Sequence, residues 1–199
     1  MSLIFFMNKY KFENHYKYKP NYHNKVFSQI TRCRFKAGHF TKCSFKNIQI
    51  EKSDFIGVNL KKNSFRNTRI SNCLFLHCDF SESNFEDTEF ENVYFCACKF
   101  KDCKNKKIPK KMIYNKLPDL QISDELREKI IATDIQFSSE EHSLLTVSRK
   151  KINKWVVSFL YKKAEEERFI DLLNLIQRRN QFKSFYDYNK ALEKIIKSR

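Results

Sequence analysis

From Ile30 to Phe100 the chain places a large apolar residue at every fifth position: Ile30, Phe35, Phe40, Phe45, Ile50, Phe55, Leu60, Phe65, Ile70, Phe75, Phe80, Phe85, Phe90, Phe95 and Phe100. A helix buries residues three and four apart, and a half-buried strand buries every second one, so neither makes this pattern. A step back from Ile30 falls on Lys25, and a step on from Phe100 falls on Asn105, which gives the register clear ends. A fixed period of this kind decides the architecture before any other signal does.

Two positions before each central residue the side chain is usually small, as at Ser28, Cys33, Gly38, Cys43, Ser53, Thr68, Cys73, Cys78, Ser83, Thr88 and Cys98, with Ile48 and Asn63 as exceptions. Three extended residues pointing in, out and in, followed by a two-residue corner, account for this through strand alternation. Asn47, Gly57, Asn67, Asn72, Asp87, Asn92 and Asp102 stand two after the centre, where a tight bend favours Gly, Asn or Asp. The pentads CDFSE, SNFED and TEFEN resemble the pentapeptide repeat family, whose motif is a small residue, a polar one, a central Leu or Phe and two variable polar ones. The Phe-centred, Cys-rich type seen here is similar to the quinolone-resistance pentapeptide proteins. The resemblance covers residues 28–102 and implies a β-solenoid, a right-handed quadrilateral β-helix with four repeats per coil. Fifteen repeats then make about four coils, a stack roughly 18 Å tall at ~4.8 Å per strand.

The open ends of so short a stack expose rings and strand edges, which calls for covers at both ends. Residues 1–27 read as an N-terminal cap, 28–103 as the β-helix, 104–122 as a basic linker and 123–199 as a helical C-terminal region. Met7 is an alternative start, with residues 1–6 as a misread extension. From Asp119 on there is neither Gly nor Pro. Ser123 reads as a helix cap, and Ser138 with Glu141 as a capping box. Ile152, Trp155, Val156, Phe159 and Leu160 mark one helical face. Phe169, Leu172, Leu173 and Ile176 mark another, and Phe185, Tyr188, Leu192, Ile195 and Ile196 a further one, giving three or four helices.

Residues twenty apart stack in columns in a four-sided coil. One outward column reads Arg34, Asp54, Leu74, Tyr94 and the adjacent one Lys36, Ile56, Leu76, Cys96. Ile56, Leu74, Leu76, Tyr94 and Cys96 therefore form an apolar patch, to be covered by the chain's own C-terminal helices, by a second copy in a homodimer or by a partner. The column places Cys96 outward as an exposed thiol. Cys33, Cys43, Cys73, Cys78, Cys98 and Cys103 take the small inward position and read as free, buried thiols. Cys96, Cys98 and Cys103 face different ways and do not converge on a zinc ion.

Charge varies along the chain. The total is 39 basic against 23 acidic side chains, +16, of which residues 1–27 carry +4, 28–102 carry +3 and 103–199 carry +9. Within the repeats, residues 28–72 hold +8 and residues 73–102 hold −5, with Asp79, Glu82, Glu86, Asp87, Glu89 and Glu91 as an acidic band. Arg149, Lys150, Lys151, Lys154, Lys162 and Lys163 flank the Trp155 face as a basic helix. Such charge points to anionic partners without specifying one. The Tyr- and Lys-rich stretch before residue 27 has a second reading as a grip on single-stranded nucleic acid.

The five histidines are scattered, two glycines cannot build a phosphate loop, and no nucleophile sits in a triad or elbow context. The reading is a non-catalytic scaffold without cofactor that binds a macromolecular partner, first of all a protein, through its solenoid faces. Two alternatives stand beside it. One is nucleic-acid or anionic-membrane binding through the basic C-terminal helices. The other, implied by the resemblance, is modulation of gyrase or topoisomerase by DNA mimicry, from which the short stack and the opposite net charge depart. The absence of a secretion signal and the free thiols point to the cytoplasm, with a bacterial effector delivered into a host cell as the alternative.

Overall fold

The computed structural model describes residues 9–137, 143–148, 150–179 and 184–198, the side chains of 135–137 excepted. The chain divides into two units, Met1–Tyr114 and Asn115–Arg199. The first is a β-solenoid of about five turns. Its opening coil holds β1 (Tyr10–Glu13), β2 (Tyr16–Tyr18) and β3 (Asn21–His23), and the next holds β4 (Phe27–Thr31), β5 (Arg34–Lys36) and β6 (His39–Thr41). Later coils contribute β7 (Gln49–Glu51) and β8 (Asp54–Ile56), then β9 (Arg69–Ser71) and β10 (Leu74–Leu76), then β11 (Glu89–Glu91) and β12 (Tyr94–Cys96), and finally β13 (Ile113–Tyr114). The first face is the parallel sheet β1-β4-β7-β9-β11 and the second is β2-β5-β8-β10-β12-β13. The third begins with the pair β3-β6. The third and fourth continue as single bridges at twenty-residue spacing, such as Asn59 with Asp79 and Ser64 with Asn84.

Every corner from Arg32 to Asp102, at five-residue intervals, takes left-handed φ. Only some are Gly, Asn or Asp; Lys52, His77, Glu82 and Ala97 do the same. That conformation costs an L-residue about 1 kcal/mol. The corner N–H groups offset it by donating to the next coil, Lys52 to the Ser71 carbonyl at 3.1 Å and His77 to that of Cys96 at 2.8 Å.

Inside, the central rings stack in register. Phe55, Phe75 and Phe95 follow at 4.9 and 5.1 Å, and Phe45, Phe65 and Phe85 at 4.9 and 5.1 Å. The small position turns out to be a donor position as well. Ser83 and Thr88 hydroxyls donate to the carbonyls of Leu60 (2.9 Å) and Phe65 (2.7 Å), and the thiols of Cys78 and Cys103 to those of Phe55 (3.2 Å) and Phe80 (3.0 Å). These cysteines are therefore more than small hydrophobes: each S–H satisfies a buried carbonyl. Asn63, an exception by size, obeys the same rule, its Nδ2 donating to the Phe40 carbonyl at 2.7 Å while its Oδ1 accepts from the Cys43 N–H at 2.7 Å. All the cysteines are free; Cys33, Cys43, Cys73 and Cys78 are buried as expected, whereas Cys98 and Cys103, in the last layers of the stack, are only half-buried. Burial pushes the Cys73 and Cys78 thiols well up.

Both ends of the solenoid differ from expectation. Residues 10–27 form a coil in a shifted frame, with Phe12 opposite Ile30 and Tyr22 opposite Phe40, eighteen residues apart. Phe12, Lys17, Tyr22 and Phe27 step in fives, and a three-residue step from Phe27 to Ile30 joins the two frames. Phe12 and Tyr22 lie on Phe35 and Phe40 at 5.6 and 5.0 Å, covering the ring column with rings of their own. Residues 104–114, expected as linker, belong to the solenoid unit: Ile108 and Met112 join its core, and β13 adds to β12.

Gly38 shows how tightly the first two coils meet. A Cβ there would stand 2.6 Å from Pro20 Cγ and 2.9 Å from the Pro20 carbonyl oxygen. Gly38→Val is accordingly expected to lower the thermal midpoint by several degrees, as overpacking against backbone costs about 1–3 kcal/mol. The comparison variant Gly57→Ala meets no neighbouring atom and bears only the left-handed φ of +61°, a cost of about 1 kcal/mol, so it should shift the midpoint less.

The second unit holds α1 (Asp124–Phe137), the hairpin β14 (Thr146–Ser148) and β15 (Lys151–Ile152), α2 (Lys154–Tyr161), α3 (Glu166–Arg178) and α4 (Phe185–Lys197). Ser123 caps α1 by accepting from the Leu126 N–H at 3.1 Å. Ile152 lies in the hairpin and not on the Trp155 helix, because Asn153 caps α2, its side chain accepting from Val156. The expected box at Ser138 and Glu141 lies outside the described residues; one forms instead between Ser184 and Asp187. Buried Asp134 holds the hairpin, accepting from the Thr146 N–H (2.8 Å) and hydroxyl (2.7 Å). Leu126, Ile130, Leu144, Trp155, Val156, Phe169, Leu172 and Leu192 form the buried interior. Among the described residues no helix is long and apolar enough to cross a membrane.

Candidate interaction site

The second face carries the expected columns in register: Arg34, Asp54, Leu74 and Tyr94, and beside them Lys36, Ile56, Leu76 and Cys96. Ile56 and Tyr94 are half-buried, while Leu74, Leu76 and Cys96 are buried. Arg34 and Asp54 are buried too, at 1% and 0% exposure, and their side chains pair at 3.1 Å. The guanidinium also donates to the Tyr16 hydroxyl and lies 4.9 Å from that ring's centroid. At the other end of the column Tyr114 stacks on Tyr94 at 5.8 Å. Cys96 corrects the expected exposed thiol. It points outward as the pattern implies, but β13 sets Tyr114 against it, and its burial pushes the thiol up.

The acidic band is a layer of a cross-coil ladder. Lys61 meets Asp79 at 3.3 Å, Lys62 meets Glu82 at 3.3 Å, Arg66 meets Glu86 at 2.8 Å and Arg69 meets Glu91 at 2.8 Å. Each acid sits one coil beyond its base, so the basic half and the acidic half of the repeats neutralise each other where they touch. Burial alone would raise the Asp79 carboxyl, but hydrogen bonds from Ser81 and the Lys61 charge hold it below its ordinary value. Asp87 and Glu89 are the two members of the band with no ion pair among the described residues. Asparagine pairs extend the same stacking, Asn67 to Asn47 at 3.1 Å and Asn92 to Asn72 at 3.4 Å.

Residues 64–102 of this ladder match the family model of pentapeptide repeats, in eight copies. Residues 64–102 are pentapeptide repeats. Among solved structures the chain is similar to a trypsin-treated variant of QnrB1, a plasmid-mediated fluoroquinolone resistance protein, at 16% identity over 45% of this chain and 48% of that one, with a TM-score of 0.30. Full-length QnrB1 gives 15% identity over 47% and 51%, with a TM-score of 0.24. The pentapeptide repeat protein Rfr23 from the cyanobacterium Cyanothece 51142 gives 11% over 50% and 85%, with a TM-score of 0.22. The chain thus spans about half the length of QnrB1. No curated protein matches it.

The division into units relocates the charge. The unit that holds the pentapeptide repeats, residues 1–114, has 22 basic against 10 acidic side chains, +12, and residues 115–199 have 17 against 13, +4. The excess assigned to the C-terminal helices thus sits mainly on the solenoid unit. Of the expected basic helix, Lys150 and Lys151 fall in the hairpin, Lys154 in the first turn of α2, and Lys162 and Lys163 just past its end. All five are exposed, and Lys163 donates to Asn189 Oδ1 at 2.9 Å. They gather at the two ends of a short helix and do not run along one stripe. Arg149 lies outside the described residues.

Proposed function

We propose that the chain is a non-catalytic scaffold whose pentapeptide-repeat solenoid binds a protein partner through its polar faces. The observation that carries this reading is the ion-pair ladder from Lys61–Asp79 to Arg69–Glu91. It presents both signs of charge at positions held by the stacked coils. Mixed, pre-positioned charge suits the patchwork of a protein surface better than a uniform polyanion, and it acts chiefly on specificity and encounter rate. The same pairing speaks against duplex mimicry, since most of the band is already engaged by the preceding coil.

The test is capture of partners on the immobilised chain, followed by titration of each purified partner against the native chain and the Glu86→Lys/Glu91→Lys variant. Glu91 is exposed and Glu86 half-buried, and both of their ion pairs stay open to solvent, so the melting temperature should move little. The affinity of a true partner should fall about tenfold or more. If every captured protein binds the variant as well as the native chain, the ladder is not the binding face.

A further inference from the structure

The ladder has an uncompensated end. The acidic coil turns its carboxylates to the coil before it: Asp79 to Lys61, Glu82 to Lys62, Glu86 to Arg66, Glu91 to Arg69. The chain that follows stacks a new basic layer on that coil's other side, with Lys99 in register with Asp79 and Lys104 with Asn84. Between Lys99 and Lys111 stand seven lysines against a single acid, Asp102. All seven are exposed, and none forms an ion pair among the described residues. They ride on folded backbone and not on a loose tether. Ile108 and Met112 are buried in the solenoid core on either side of Lys110, and Ile113 pairs with Phe95.

We propose that this lysine-rich end of the solenoid binds nucleic acid through its phosphates. The density of like charge on a rigid end matches a polyanion. Phe100, half-buried and last in its column 5.2 Å from Phe80, lies under the Lys106 ammonium at 5.1 Å. That pairs an aromatic ring with a phosphate-seeking charge, the combination that holds single strands. Anionic membrane fits less well. No large hydrophobic residue between 99 and 111 is exposed, so the apolar face that seats a surface-bound segment in lipid is missing. Lysines are point charges without the planar fork that reads base edges, so the binding is independent of sequence. This surface is distinct from the mixed-charge ladder, and either assignment can fail without the other.

The experiment is fluorescence anisotropy of the full chain with a labelled oligothymidine and with a labelled duplex, over a series of salt concentrations. Binding is expected at low salt and should weaken steeply as salt rises. The variant Lys104→Glu/Lys106→Glu/Lys107→Glu should weaken it by about a hundredfold, with an unchanged circular dichroism spectrum. The variant Lys150→Glu/Lys151→Glu/Lys154→Glu should bind like the native chain. Three results overturn the proposal: no binding at the lowest salt, loss in the second variant but not in the first, or binding to phosphatidylserine vesicles with none to either oligonucleotide.

Discussion

Replacing Asp54 by alanine is expected to cost about 3–5 kcal/mol of folding free energy, the penalty for removing one member of a buried ion pair. Asp54 and Arg34 are both essentially inaccessible and meet at 3.1 Å. Without the carboxylate the buried guanidinium loses the acid that meets it at 3.1 Å, and the Tyr16 hydroxyl and ring beside it bring no negative charge in its place. The control is the double variant Arg34→Met/Asp54→Leu. If the cost comes from a stranded charge, the double variant should regain most of the loss, because apolar pairs of similar volume replace buried ion pairs at little cost. Urea unfolding followed by far-UV circular dichroism reads both. A double variant as unstable as Asp54→Ala would show that the pair itself, and not the orphaned cation, stabilises this face.

The second large effect is expected at the middle of the ring column. Phe75→Ala should destabilise by about 3–5 kcal/mol through lost transfer energy and the cavity left behind. Phe75 is fully buried, stacked between Phe55 at 4.9 Å and Phe95 at 5.1 Å with Phe80 edge-on at 5.2 Å. Each coil is stabilised by its neighbours, so the hole weakens the interfaces on both sides. Phe75→Leu should cost much less, about 1.5 kcal/mol or below, since Leu60 fills an equivalent position with no exposure. Phe100→Ala, at a half-buried site, should also fall well short of Phe75→Ala. Equal losses for Phe75→Ala and Phe100→Ala would contradict a core that is tightest at its centre.

These two sites differ in how far a reader of the residues alone can see. Phe75 belongs to a column that the five-residue spacing announces, and the left-handed corners two residues later follow the same count. Arg34 and Asp54 are twenty apart, so their stacking is legible. Their burial is not, because both point away from the axis. The acidic band gave a similar half-answer. Its members are visible as a run, but the pairing of Glu86 with Arg66 needs the coil pitch to bring residues twenty apart within reach. The N-terminal coil was missed although Phe12, Lys17, Tyr22 and Phe27 keep the period; the three-residue step to Ile30 hides the continuity, and Lys17 at a central position disguises it further. Ile108 and Met112 carry no period at all, so the closing layer looked like a basic linker.

The side chains that line the solenoid axis were set by local chemistry. Five residues make one side and one corner, the corner fixes the direction of the next side, and the rule repeats without help from distant parts of the chain. Which outward residues lose their water is a different kind of question. Leu74, Leu76, Cys96 and the Arg34–Asp54 pair are buried while Arg69 and Glu89, at equivalent outward positions, are exposed. Nothing in the period separates the two sets, because an outward side chain is buried only by what packs over it, and that is decided by the folded chain.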